Sequence, residues 1–172
     1  VINVAEQALK NAEQITQNYA DTLGVSEAKI VVICAKIESE LSELSEDDQK
    51  QYLKDLGLKQ SGLERLIRKA YETLGLISFL TAPALADASA RQGGEKWEVR
   101  AWTIRASSTA LMASGTIHTD FMQKFIKAEV VSYSDCVSLG GWKKARELGK
   151  ARMEGRDYIM QDGDVVEFKI GA

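Results

Sequence analysis

The apolar residues of this 172-residue chain change their period part-way along, and that change limits the fold more than any other feature. Through the first 75 residues they recur every three or four positions. Ala8, Ala12, Ile15, Tyr19 and Leu23 form one stripe, stopped by Gly24; Leu63, Leu66, Ile67, Ala70, Tyr71 and Leu74 form another, stopped by Gly75. Such spacing predicts helices with one buried face. Between them Lys29 to Cys34 (KIVVIC) is a continuous β-branched run, the pattern of a strand buried on both faces in a parallel sheet. Ser45 is placed to cap a further helix from Asp48 to Leu56, with Gly57 ending it, and Ser61-Gly62-Leu63-Glu64 has the spacing of a capping box. Beyond residue 98 the period falls to two. Val99 to Arg105, Ile126 to Val131, Tyr158 to Met160 and Val165 to Ile170 read as strands, with a turn at Asp162-Gly163-Asp164. Short helices fit around Ser108 to Ser114 and Trp142 to Lys150.

The change falls in Thr81 to Trp97, TAPALADASARQGGEKW, which holds the only Pro and a Gly pair and reads as a linker. The expectation is therefore part of an α/β unit over 1–80, a linker over 81–97, and a small α+β domain over 98–172. In that second domain four short strands carry one or two helices on one face, an arrangement of the β-grasp kind. With 45% hydrophobic and 27% charged residues and a mean hydropathy of −0.20, the chain is neither a disordered nor a repeat-built one. No apolar run approaches the roughly 20 residues needed to cross a bilayer. Two distant cysteines, Cys34 and Cys136, make no disulfide scaffold and fit a reducing cytoplasm. The chain opens on Val1 without an initiating Met or a signal peptide, which reads as a piece of something longer.

Charge is divided unevenly: residues 1–80 carry 9 basic against 13 acidic side chains, and 81–172 carry 13 against 12. Trp142 to Arg156 (WKKARELGKARMEGR) concentrates Lys143, Lys144, Arg146, Lys150, Arg152 and Arg156 against only Glu147 and Glu154. This stretch suits RNA phosphate, with Trp142 stacking on a base, or else is a solvated helix face anchored by its Trp. Catalytic motifs are absent. Gly149-Lys150 is followed by Ala151 and not by Ser or Thr, so there is no phosphate loop; GxSxG and HExxH are missing, and one His excludes a multi-His metal site. His118, beside Asp120, reads as a structural or partner-contacting His, since no Ser or Cys nucleophile is placed to use it as a base. Cys34 reads as core. Cys136 is the one candidate for a redox role, although its neighbour Asp135 disfavours the thiolate.

Val99 to Val131 (VRAWTIRASSTALMASGTIHTDFMQKFIKAEVV) and 154–172 (EGRDYIMQDGDVVEFKIGA) closely resemble the C-terminal domain of the Obg-like ATPases, the YchF family. That domain is a TGS module of ubiquitin-like β-grasp fold. Leu56 to Ala82 is similar to the last helix of the family's nucleotide domain and the strand leading out of it. Asn3-Val4-Ala5-Glu6 resembles its NxxE base-recognition motif, and Cys34-Ala35-Lys36-Ile37-Glu38 its SAK loop. The chain departs from the family in the Pro83 to Lys96 insertion, in TALMASG at Thr109 to Gly115, and at its Phe168-Lys169-Ile170-Gly171-Ala172 end.

The resemblance implies a partial P-loop nucleotide domain followed by a TGS domain. In related GTPases an Asp carboxylate accepts from guanine N1–H and the 2-amino group; Glu6 moves that carboxylate outward by one methylene and favours adenine. Asn3 would hold the loop and approach ring N7, Val4 would pack near the base, and the backbone of Ala35 and Lys36 would complete the pocket. ATP with Mg2+ is thus the implied cofactor, with GTP weaker, and neither is fully liganded by this chain. The implied partner is the ribosome, through rRNA or tRNA, contacted by Lys143, Lys144, Arg146, Lys150 and Arg152. No catalytic residue and no metal ligand is assigned here. A stand-alone RNA- or ribosome-binding adaptor and a redox regulator working through Cys136 are the competing readings.

Overall fold

The computed structural model describes residues 1–81 and 99–171, so the expected linker lies, apart from Thr81, outside the described residues. The chain divides into two compact units, Val1–Leu74 and Gly75–Ala172. The division precedes the linker because the strand after Gly75 is hydrogen-bonded into the second unit's sheet.

In the first unit β1 (Ile2–Asn3) and β2 (Val32–Ile33) pair in parallel, Ile2 opposite Val32 and Asn3 opposite Ile33. The run KIVVIC is buried much as its composition demands, with Val31, Val32 and Cys34 inside. Its ladder is shorter than expected because Lys29 ends a 3₁₀ turn (Glu27–Lys29) and the partner strand offers two residues. The helix expected from Ala8 starts as a 3₁₀ turn, Glu6–Asn11, and becomes α-helical only in α1 (Ala12–Leu23). Gly24 closes α1 at φ 63°, where a side chain would be strained. α2 (Ala35–Ser42) begins directly after Cys34, where no helix was expected. α3 (Glu46–Asp55) is capped by Ser45, whose Oγ accepts from the Asp48 amide at 3.4 Å. α4 (Gly62–Leu74) carries the capping box in both directions: Ser61 Oγ accepts from Glu64 N–H at 3.0 Å, and Glu64 Oε2 from Ser61 N–H at 3.2 Å. The core of this unit is small: Cys34, Ile37 and Leu41, with Leu9, Tyr52, Leu53 and Leu56 against them.

The second unit runs β3 (Leu76–Thr81), β4 (Arg100–Arg105), α5 (Ala110–Ile117), α6 (Thr119–Gln123), β5 (Phe125–Ser132), α7 (Tyr133–Ser138), α8 (Trp142–Glu147), β6 (Arg152–Glu154) and β7 (Asp164–Ile170). Its sheet has five strands in the order β4-β3-β7-β5-β6; β3 and β7 are parallel and the other pairs antiparallel. Four strands were expected, and two differences account for the fifth. Leu76–Thr81 joins this sheet, pairing along its whole length with β4. Tyr158 to Met160 makes only a single bridge, Ile159 to Thr109, while Arg152–Glu154 takes the place beside β5. The Asp164 carboxylate explains this: its Oδ2 accepts from the Tyr158 hydroxyl and the Gln161 amide, both at 2.9 Å, and curls the segment into a turn.

Both faces of the sheet are covered, and not one as expected. Neighbouring residues of a strand point to opposite faces, so Val130 and Val131 separate two apolar clusters. Phe79, Ile104, Ala110, Ala113, Phe125, Val130 and Val166 form the first, under α5; Phe168 meets Phe79 edge-on at 6.1 Å. Val131, Val165, Trp142 and Ala145 form the second, under α7 and α8. Among the described residues no helix is long and apolar enough to cross a membrane.

Candidate functional site

The C-terminal ends of β1 and β2 open onto a cleft of about 550 Å3 lined by Asn3, Val4, Ala5, Glu6, Gln7, Cys34 and Lys36. The parallel pairing sets this up. With Asn3 opposite Ile33, the residues after both strands emerge side by side, the place where open α/β sheets take ligands. Asn3 Oδ1 accepts from the Ala35 amide at 2.9 Å, across 32 residues of sequence. That bond fixes the Cys34–Lys36 backbone and leaves the Asn3 amide nitrogen as a donor. Val4 N–H donates to Ile33 carbonyl at 2.9 Å and extends the strand pairing to the cleft's edge. Glu6 opens the 3₁₀ turn and is exposed, as is Lys36, which reaches Glu40 at 3.7 Å. Of the expected base-site residues, Asn3, Val4, Glu6 and Lys36 therefore share one cleft, and Ala35 is tied to it through its amide.

Behind the cleft, Glu38 places one oxygen 2.8 Å from the Gly62 amide and the other 3.1 Å from the Leu63 amide, at the start of α4. The sequence pattern gave no role to Glu38. Its distance of 24 residues from Gly62 hid the contact. Tyr52 donates its hydroxyl to Glu40 Oε2 at 2.6 Å, and that hydrogen bond, with some burial, pushes its pKa up to about 12.

The basic stretch separates into engaged and open cations. Arg146 Nε lies 2.9 Å from Oε1 of Glu129, a carboxylate only 1% exposed on β5. Lys169 stands 3.9 Å from the other Glu129 oxygen and also bonds Glu167, the residue opposite Glu129 in the ladder. Lys150 faces Asp135 at 3.9 Å, and Arg152 bonds Glu154 at 3.2 Å and the Tyr158 hydroxyl at 3.1 Å. Lys143 and Lys144 on α8 have no ion partner among the described residues and are exposed. Trp142 is 4% exposed and packed in the second apolar cluster, so it cannot stack on a base as the sequence suggested. The anchored-helix alternative describes its role.

His118 caps α6, its Nδ1 accepting from the Asp120 amide at 3.2 Å, with Asp120 Oδ2 3.8 Å away. Cys136 is half-buried against the Trp142 cluster, and burial pushes its thiol up, which opposes thiolate chemistry. Among the described residues no cluster of three or more His, Cys, Asp or Glu is arranged to hold a metal ion.

The chain thus joins a small α/β unit with a two-stranded parallel sheet to a mixed unit built on a five-stranded sheet. Residues 93–171 match the family model YchF-GTPase_C, described as a protein of unknown function. The ribosome-binding ATPase YchF of Bacillus subtilis is 44% identical over 142 residues, 83% of this chain and 36% of its own length. That of Haemophilus influenzae is 41% identical over 170 residues, 98% of this chain and 43% of its own length. The YchF GTPase structure from Schizosaccharomyces pombe superposes with a TM-score of 0.73 at 26% identity, over 97% of this chain and 42% of that one. The chain belongs to the YchF family. It spans about two fifths of the length of the curated relatives it matches.

Proposed function

We propose that this chain supplies the base-recognition segment and the partner-binding module of a cytoplasmic, ribosome-associated ATPase that prefers ATP to GTP and uses Mg2+. The observation that carries the reading is the Asn3–Ala35 bond, which gathers Asn3, Glu6 and the Lys36 loop round one cleft. Two relatives are named ribosome-binding ATPases and one solved relative a GTPase, so the base preference rests on the residues of the cleft. Glu6 stands where the related GTPases carry the shorter Asp, and withdrawing that pairing from guanine leaves room for adenine. The residues present fit a purine base: an amide donor, a carboxylate and a loop backbone. Phosphates and Mg2+ would need ligands beyond this chain. A bound nucleotide would bring the phosphate chemistry, while Asn3, Glu6 and the loop orient its base.

The second unit supports the TGS reading. Counted in chain order within the unit, its strands lie 2-1-5-3-4, with the first and last parallel at the centre, as in a β-grasp. Lys143 and Lys144 are the cations open to rRNA or tRNA phosphate. The test is equilibrium binding of non-hydrolysable ATP and GTP analogues to the full-length gene product. Tighter ATP binding is expected; equal or tighter GTP binding overturns the reading. A reading as a ribosome-binding module without catalysis is favoured only by the two open lysines. It is separated by the same titration, since such a module binds neither nucleotide.

A further inference from the structure

We infer that Glu38 is a positioning residue for the base-recognition loop, which it fixes by clamping the first turn of α2 to the N-terminus of α4. The inference rests on the base-recognition reading and deepens it.

Glu38 lies in the same helical turn as Ala35 and Lys36, so whatever holds its side chain holds the loop backbone. Its two oxygens each take one backbone amide of α4, Gly62 at 2.8 Å and Leu63 at 3.1 Å. The first amides of a helix lack internal partners and carry partial positive charge, which suits a carboxylate. Yet α4 does not need this one to begin, because Ser61 and Glu64 already form a complete capping box. The Glu38 contact therefore does more for α2 than for α4.

Gly62 shows that the approach is built in. A Cβ there would stand 2.8 Å from Glu38 Oε1 and 2.8 Å from Ile33 Cγ2, so only glycine lets the carboxylate and the strand come this close. One turn further along α4, Arg65 Nη2 donates to the Val32 carbonyl at 3.0 Å. α4 thus grips the chain on both sides of the loop, at Val32 before it and at Glu38 after it, while Asn3 holds Ala35 between them. A small displacement of a binding loop is costly because its donors must meet the ligand within a few tenths of an ångström.

The test compares Glu38→Ala, Glu38→Gln and Asn3→Ala in the full-length gene product, with two probes: a non-hydrolysable ATP analogue, and inorganic tripolyphosphate with Mg2+, which has no base. Glu38→Ala is expected to weaken the ATP analogue about 10-fold and leave tripolyphosphate unchanged. Glu38→Gln falls between, since its amide oxygen still accepts one N–H. Unchanged ATP binding in Glu38→Ala with a loss in Asn3→Ala overturns this inference alone. Unchanged binding in both variants overturns the base-site reading and this inference with it. Parallel loss of both probes in Glu38→Ala means a general loss of fold and also overturns it.

Discussion

Among the described residues of the second unit apolar side chains fill both faces of one sheet, with Phe79, Val130 and Val166 on one and Val131, Val165 and Trp142 on the other. Residues 1–74 have a core cluster of three buried residues round Ile37, and they fix their backbone with side-chain hydrogen bonds: Asn3 to Ala35, Glu38 to Gly62 and Leu63, Arg65 to Val32. Leu23, Leu63, Ile67 and Leu74 of that unit remain largely exposed. Apolar burial is non-directional and tolerates small shifts; hydrogen bonds fix angles and distances. The unit that holds the candidate cleft thus has the smaller apolar cluster, and side-chain hydrogen bonds to backbone groups position its loop.

The sheet unit is the place to break this contrast first. Phe79 is completely buried and meets Phe168 edge-on. Phe79→Ala is expected to cost about 3–5 kcal/mol. Denaturant unfolding followed by tryptophan fluorescence measures it, since all three Trp lie in 97–142.

Arg146→Ala comes next. It leaves the buried Glu129 carboxylate with Lys169 at 3.9 Å as its counter-charge and should cost about 2–3 kcal/mol, discounted for the half-exposed Arg146. Lys144→Ala should stay within about 0.5 kcal/mol. Similar losses for the two would erase the distinction between engaged and open cations. If α8 is a ribosome contact, the pair Lys143→Glu and Lys144→Glu should instead reduce co-sedimentation with ribosomes while leaving the fold intact.

Gly62→Ala probes the clamped unit, and its Cβ must displace Glu38 or Ile33, at a cost of about 1–3 kcal/mol. Thermal unfolding reads it, and an effect near zero would show that this contact yields freely.

The smallest effect is in the pH dependence. Burial is the largest influence on Asp164 and holds its carboxyl above the ordinary 3.8, against the opposing hydrogen bonds. A raised folded pKa gives stability that is complete below the unfolded value and is lost as pH rises through the folded one. Asp164→Asn should remove that decline just above pH 3.8, seen as a flatter denaturant midpoint against pH.

The capping box at Ser61–Glu64, the Ser45 cap and the stop at Gly24 were legible from local signals, because each depends on residues within four positions. The contacts that shape the cleft were not legible from periodicity. Asn3 meets Ala35 across 32 residues and Glu38 meets Gly62 across 24, and only the fold brings them together. The placement of Leu76–Thr81 in the second sheet was hidden for the same reason, since a strand's neighbours are set by pairing and not by its own pattern. For Trp142 the pattern left two readings open, an anchor or a stacking surface, and its burial in the second cluster selects the anchor.

In the proposed reading Glu6 and Asn3 select the base. Its most direct test is the ratio of ATP to GTP affinity in the full-length gene product and in its Glu6→Asp variant. The expected result is an ATP preference in the parent that shifts toward GTP when the carboxylate is shortened by one methylene. An unchanged ratio in Glu6→Asp would contradict it.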